Sequence, residues 1–561
     1  MFMQQPSNLK KYIKRTLIII GMLALIMAGV ALYLSQRWSN TLRSQLKEYV
    51  TEMSDSLYTL RYDGVHLNIL SGSLTLDSVS LVRDTAVYQR LQATRKAPTL
   101  LYAFSADRVA LRYFKVWRYF FRKEVSAGTL VLQNPSIVLE QNTRNVDTSK
   151  HRSAYEHLSS RIRSLHIGTL LLDSSNLKYT YIKKDSGLVV RQLHNLSIHV
   201  KDLLIDSVAM EDPSRFLYAR NYQLYLRDYR YRTPDSLYWM IVRDVSYDAA
   251  ERSLRVGQFS AEPRYSPADF DKKVKVQRDR FDVELNTIVV NELQPDSLLQ
   301  KQQIRARKVD IGSGTFNIYH NRSLPMSGEV KTGQYPHQLL QKLALPVMVD
   351  SLIGNRVDIS YTEINPKSQE AGTLHFKQVH GVFRNITNMK AMIAKNSHCI
   401  ADMDGVFMKS GKLQARFDFF LDHPRGGFAV SGQLKDMDGR ELTPITRPLG
   451  LVDIRSANIK EVSFHMQGDE KDASGEVKMI YDNLRISILK KDNDSREIKR
   501  KGLLSLFANA IAINNSNPRD GKLHVAHPHF TRDPRKSFFN LVWKTLFTGV
   551  KEIAISGGFP I

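Results

Sequence analysis

A single cysteine in 561 residues, Cys399, excludes an intramolecular disulfide framework, so stability has to come from burial and backbone pairing. If Cys399 is buried, as cysteines usually are, it is inert packing. Catalytic signatures are missing as well. The chain has no Gly-x-Ser-x-Gly elbow, no His-Glu-x-x-His and no Walker loop, and Gly312-Ser-Gly314 lacks the third glycine of a dinucleotide fingerprint. Asp77, Asp173 and Asp310 fall at strand ends, where turn chemistry accounts for them. His524, His527 and His529 form the one histidine cluster. Only Asp533 stands near it and Pro528 marks a loop, whereas a tetrahedral metal site needs three or four convergent ligands. These absences predict a protein that is not an enzyme and carries no cofactor or metal.

Long apolar runs are absent with one exception. Thr16–Gln36 holds 21 residues without a charge, and at ~1.5 Å per residue a helix of that length reaches about 31 Å, close to the ~30 Å hydrocarbon core of a bilayer. Leu17, Ile18, Ile19, Ile20, Leu23, Leu25, Ile26, Val30, Leu32 and Leu34 supply its hydrophobicity. Lys10, Lys11, Lys14 and Arg15 stand before it; Arg37, Arg43 and Lys47 follow, diluted by Glu48, Glu52 and Asp55. The positive excess predicts a cytoplasmic N-terminus (1–15), a transmembrane helix (16–36) and everything beyond on the far side, with Tyr33 and Trp38 at the interface. The alternative is a cleaved signal peptide with Gly29 and Ala31 at its cleavage site, but the run continues through Leu34 and exceeds the usual 7–15-residue apolar core.

The net charge of +24 is dispersed along the chain rather than gathered in a tail. No helix-turn-helix, zinc-finger or ribonucleoprotein motif accompanies it, which argues against nucleic acid. On a tethered protein a dispersed basic surface reads as attraction to anionic lipid head groups.

After the anchor, Trp38, Leu42, Leu46, Tyr49, Met53 and Leu57 recur at helical intervals and predict a juxtamembrane amphipathic helix over 37–58. From there the period changes to two. Leu74 and Leu76 alternate with Ser73, Thr75 and Asp77, and the unit returns with Leu130 and Leu132, then with Leu170 and Leu172. Looser copies carry Phe316 and Ile318, and Val357 and Ile359. Further alternating strands are expected at 222–226, 254–259, 281–285, 374–376, 416–421, 428–434, 462–466, 477–481 and 484–488. Leu188–Leu196 resembles Leu374–Val382, 186 residues later, and a short helix candidate lies upstream of each, at His151–Ser164 and Pro336–Ala344. Such self-similarity argues for stacked units, with 59–330 as a first half and 331–530 as a second. The expected fold is mainly β: an elongated, curled antiparallel groove with a few short capping helices. Some 25 strands at ~4.8 Å would extend it about 120 Å. Its inward face would carry the leucines above with Phe316, Ile318, Val357, Ile359, Phe417, Phe419 and Phe464. An apolar face of that extent without a covering layer calls for a filler, and acyl chains need only a continuous hydrophobic wall.

Two amphipathic segments remain. Arg112–Lys123 interleaves aromatics, including Trp117 and Phe120, with basic residues, as in a short helix at a head-group layer or one packed on the sheet edge. Ser537–Ile553 carries Phe539, Val542, Trp543, Leu546, Val550 and Ile553 at helical spacing and predicts a C-terminal cap (531–561) over an open sheet end, the alternative being a helix that docks on a second membrane or on an outer-membrane or periplasmic protein partner.

Gly72–Leu81, Ala106–Leu111 and Gly128–Leu139 after the anchor, with Gly432–Gly439 and Ile454–Phe464, resemble the AsmA-like family. The resemblance spans most of the chain and is one of pattern, not of an active-site signature. It implies an inner-membrane-anchored, mostly periplasmic protein related to chorein-type bridge-like lipid-transfer proteins. The implied role is phospholipid traffic between inner and outer membrane and outer-membrane integrity. The competing expectation is an assembly factor whose groove receives strands of outer-membrane proteins by edge pairing.

Overall fold

The computed structural model describes residues 56–68, 71–142, 162–182, 188–209, 218–294, 302–491, 498–500 and 512–556, with isolated positions before and between them. The expected anchor, most of 37–57 and most of His151–Ser164 lie outside the described residues. Among the described residues no helix is long and apolar enough to cross a membrane.

Period-two alternation produces strands almost everywhere it occurs. β1 (Tyr58–Arg61) and β2 (Gly64–Asn68) share one edge of β3 (Ser73–Arg83), whose other edge pairs with β4 (Leu100–Arg112). β5 (Glu124–Gln133) and β6 (Ser136–Asn142) lie end to end between β4 and β7 (Ser164–Ile182). From there every strand pairs with the next in chain order. The series begins β8 (Leu188–Ile205), β9 (Asn221–Arg232), β10 (Tyr238–Asp248), β11 (Ser253–Pro263) and β12 (Arg280–Asn291). It continues with β13 (Ile304–Asn321), β14 (Val347–Ile364), β15 (Ala371–Thr387) and β16 (His398–Phe407). It closes with β17 (Gly411–Phe420), β18 (Phe428–Asp438), β19 (Val452–Gly468) and β20 (Asp472–Lys491). β21 (Ile498–Arg500) pairs with β20, while β22 (Ala512–Ile513) stands apart with a later strand. β23 (Val525–Ala526) and β24 (His529–Thr531) also line β20, and β25 (Ile555–Ser556) is the partner of β22.

Short connections force antiparallel neighbours, and only two joins are parallel: β5 and β6 with β7, and β13 with β14. Both follow long crossovers, residues 143–163 and 322–346. Two expectations change in detail. The strands expected at 477–481 and 484–488 are one strand, β20, bent at Asn483, which takes φ 55. Because β1 with β2, β5 with β6, and the short strands beyond β20 share rungs, the stacked length is about 86 Å rather than about 120 Å at ~4.8 Å per rung.

Most long strands are interrupted near mid-length by a left-handed residue. Ser174 in β7, Asn195 in β8, Asp244 in β10, Thr287 in β12, Arg356 in β14, Gln378 in β15 and Asp436 in β18 have φ between 47 and 60 or close to it. An extra residue of this kind bends its strand and raises the local twist. The bulges also locate the repeat. β7–β8 shifts register between Leu172, Ser175 and Leu177; β14–β15 shifts between Gly354, Val357 and Ile359. Each bulge of the second unit thus lies 182 residues after its counterpart, and the offset of 186 read from Leu188–Leu196 places the copies a few residues out of step.

Three apolar clusters cover the two ends of the sheet. At the first end, α1 (Thr85–Ala93) contributes Tyr88 and helical Val50 is buried with Leu57, Tyr58, Phe114 and Ile162. α2 (Val116–Arg122) connects β4 to β5. α3 (Pro267–Val274) buries Phe270 beside β12. At the far end α4 (Pro336–Gln341), in the second crossover, and the long C-terminal helix flank two clusters that share Phe464 and Leu546. α5 (Lys390–Ile393) and α6 (Thr443–Gly450) sit on strand connections, and α7 is that C-terminal helix, Phe538–Ala554.

Candidate functional site

Because directly paired residues share a face, pairings can be followed from strand to strand. One row runs without interruption from β3 to β20. Its first part is Leu76, Val109, Leu132 and Leu172. Its middle is Ile198, Leu224, Tyr247, Leu254, Val290, Val309, Leu352 and Phe383. It ends with Ala401, Phe417, Val430, Met466 and Gly475. Every member but the last is apolar.

The solvent exposure of this row divides it in three. Leu76, Val109, Leu132 and Leu172 are fully buried, as are Ala401, Val430 and Met466 at the other end. Between them Ile198, Tyr247, Leu254, Val290, Val309, Leu352 and Phe383 are only half-buried, and Leu224 is 36% exposed. Two further rows repeat the pattern over the same strands: Leu226, Val245, Val256, Ile288 and Ile311, then Met240, Ala261, Val283, Phe316, Ile359 and Phe376. Nearly all are half-buried. The middle of the sheet therefore presents an apolar face that is only half-buried, eight strands wide and about 34 Å along the pairing direction at ~4.8 Å per strand, and α6 packs on its β15 edge, where Leu449 meets Gly372. The opposite face is polar: Arg384, Asp402 and Arg416 form an ion-paired ladder there, and Arg230 stacks over Trp239 at 4.0 Å.

What bounds this face at the far end is set by α7. Ser537 caps it by accepting from the Asn540 amide, and Phe538, Leu541, Thr545, Gly549 and Ile553 turn onto the sheet. Phe538 meets Phe428 at 4.9 Å, Tyr335 at 5.2 Å and Phe419 at 5.5 Å between ring centroids. The adjoining flank of the helix is an aromatic stripe left in solvent: Phe539 (62% exposed), Trp543 (44%) and Phe547 (38%). Phe539 lies edge-on to Phe417, so the stripe borders the apolar row. Lys536 stands just before the cap and Lys544 on the helix. Burial, then the nearby Arg322 guanidinium, lowers both ammonium groups from their ordinary range. Neither lysine has a carboxylate within ion-pair distance among the described residues; Lys536 Nζ reaches only Gln277 Oε1 at 3.5 Å.

A strap links the two sides. The Gln277 amide donates to the Pro325 carbonyl, Lys331 to Pro534, and Arg532 Nη2 to the Lys331 carbonyl at 2.8 Å. Tyr335 Oη donates to the Asp469 carbonyl at 3.0 Å. The crossover therefore ties the start of β12 to the β19–β20 turn. Below it His320 Nδ1 and Asp279 Oδ1 lie 2.7 Å apart; burial pushes the Asp279 carboxyl up, but His320, Lys331 and Lys536 bring it below the usual carboxylate range.

The residues expected to line a groove divide accordingly. Leu74, Leu76, Leu130, Leu132, Leu170 and Leu172 share the face but are sealed in the first cluster. Phe316, Ile318, Val357 and Ile359 stand on the half-buried part. Phe419 is buried beneath α7, and Phe417 and Phe464 pack partly against the far clusters. Trp117 is exposed, while the side chain of Phe120 lies outside those described; Leu546 packs against the sheet, and Phe539 and Trp543 point away from it. Lys536, Lys544 and Arg322 converge without any sequence signal, since two hundred residues separate them.

His524 accepts from Arg519 Nε at 2.9 Å, His529 lies 3.5 Å from Asp472, and His527 is exposed. No group of three or more metal-ligating side chains converges among the described residues. Concavities of about 320 and 340 Å³ open beside Ser197–Gln223–Asp248 and beside His375–Lys409–Glu441. The chain matches no family model and no curated protein.

Proposed function

We propose that the half-buried middle of the sheet is the wall of a groove that holds or guides phospholipid-type lipids, in a membrane-tethered protein of the AsmA-like kind. The single observation behind this reading is the unbroken apolar row whose two ends are sealed and whose centre is not. A soluble body does not leave several hundred Å² of contiguous apolar wall without an occupant. Acyl chains suit it because they need no directional partners, and each methylene buried contributes about 0.8 kcal/mol. Lys536 and Lys544 supply unpaired positive charge beside the wall, which suits a phosphate head group with its chains on the rows. The tether at 16–36, a cytoplasmic N-terminus, the body in a periplasm and lipid passage between inner and outer membrane follow from the sequence reading and remain part of the proposal.

The strand-receiving alternative has less behind it, because the outer edge of β20 already pairs with β21, β23 and β24. The deciding experiment is mass spectrometry of what co-purifies with the detergent-extracted full chain. Phospholipid near one per chain or more, reduced at least threefold by Lys536→Gln with Lys544→Gln, supports the proposal. Bound peptides with no lipid would overturn it.

A further inference from the structure

At the first end of the sheet, α2 joins β4 to β5 and packs beside β5. Its entry and exit residues, Tyr113 and Lys123, both take left-handed conformations (φ 57 and 56), which fix the direction of the arm. Phe114 is buried at its root, and the Lys115 amide donates to the Ser126 carbonyl. Among the aromatic residues whose side chains are described, Tyr113 is 66% exposed, Trp117 73% and Phe121 79%, with the last two rings stacked at 5.9 Å.

Five basic residues surround them, Arg112, Lys115, Arg118, Arg122 and Lys123, all exposed. Glu124 lies 3.9 Å from Arg118, and by sequence count the segment 112–124 carries five basic residues and one acidic, a net charge of +4. On the same rim, after β8, Val208 is 66% exposed. Stacked aromatics ringed by cations are the composition of a segment that settles at the head-group level of an anionic bilayer.

Position permits the same occupant. Fourteen Cα steps run from Gln36 to Val50, which is buried in the first cluster, so the tether spans at most about 50 Å. Tyr58 is level with Arg83 and so with the start of β4, whereas α2 follows Arg112 at its end, so the arm lies at the opposite rim, about 33 Å along the strands and about 10 Å across them from the incoming chain and within that reach. We infer that α2 is a membrane-docking arm: Trp117 and Phe121 enter the interface of an anionic bilayer while the surrounding Arg and Lys side chains hold its phosphates. This sets the rim bearing α2 and Val208 against the membrane. The inference rests on the tethered reading only for the nearness of a bilayer and is independent of what the groove carries.

The test uses the full chain reconstituted into vesicles, with an environment-sensitive fluorophore on Phe121→Cys. Cys399 is buried and its thiol is pushed up to about 11, so labelling is confined to the new site. In phosphatidylglycerol-containing vesicles the emission shifts to the blue and is quenched by doxyl-labelled lipid at least threefold more than in phosphatidylcholine alone. Lys115→Glu with Arg118→Glu and Arg122→Glu abolishes that difference, whereas a label at Lys412→Cys on the polar face stays in water throughout. Water-like emission from position 121 in anionic vesicles overturns the inference. So does protection that depends on protein density and not on lipid charge, which would assign the arm to contacts between copies. Ile288→Asp on the groove wall leaves this readout unchanged, so failure of the arm and failure of the groove are separable.

Discussion

Ile288 on β12 and Leu132 on β5 are both apolar and both flanked by apolar partners: Val256 and Ile311 for the first, Val109 and Leu172 for the second. The effect of an aspartate at each is the sharpest measure of which is covered. Leu132 has no exposed surface. Losing a fully buried leucine costs about 2–5 kcal/mol, and an unpaired buried carboxylate adds several more, so Leu132→Asp exceeds the whole stability of an ordinary domain edge. Ile288 keeps part of its surface in water. Its aspartate loses roughly 1–2 kcal/mol of apolar burial, and its carboxylate keeps access to water. Hydrogen exchange over β3–β8 and β11–β14 in the purified full chain, with a thermal scan alongside, separates the two. Ile288→Asp is expected to shift melting by a few degrees and leave protection of β3–β8 intact. Leu132→Asp is expected to abolish protection of β3–β8 altogether. Equal damage from the two variants would mean that the middle strands are covered, and the groove proposal would fall with that result.

Three other expectations follow from the far clusters. His337, buried against Phe419 at 5.1 Å, has its imidazole held down to about 4, chiefly by burial. The unfolded chain therefore binds a proton between pH 6.5 and 4 that the folded chain refuses. Stability is complete above about pH 6.5 and falls by up to roughly 3 kcal/mol as the pH drops to 4. Urea unfolding of the α7 region at pH 7 and pH 5 should show the loss in the native chain, and His337→Phe should flatten it. Cys399, with its thiol raised to about 11 by burial, should resist maleimide in the folded protein and react within minutes in urea; rapid native alkylation would place β16 in solvent. A methyl group at Gly549 would meet Val477 Cγ2 at 2.7 Å and Pro528 Cγ at 3.1 Å. Gly549→Ala should gain about 1 kcal/mol of helix propensity but lose about 1–3 kcal/mol to overpacking, lowering exchange protection of α7. Unchanged or higher protection would show that the helix can lift without cost.

Local periodicity carried much of this architecture. The stripe from Phe539 to Ile553, with Ser537 as its cap, marks α7 to within one residue at each end, because both signals are local. Alternation likewise marks β9, β11, β12 and β18. Cover is another matter. Leu132 and Val290 read alike in sequence, and only crossovers and helices that traverse many strands decide which one is sealed. The bulges were invisible because Thr287, Arg356 and Gln378 occupy a backbone region usually signalled by glycine or asparagine. The repeat was offset for the same reason: equivalent positions such as Ser174 and Arg356 share a conformation, not a side chain. Lys536 and Lys544 meet Arg322 only through the strap, which no short-range pattern encodes.

From β7 to β20 spatial order along the sheet is chain order, so there a strand's neighbours in space are also its neighbours in synthesis. Such a ribbon can be lengthened or trimmed by whole hairpins, each changing its reach by about 10 Å while keeping direction and inward face. A single added strand would instead reverse every direction after it. The length of the sheet is in that sense a dimension written in pairs, adjustable without any new topology.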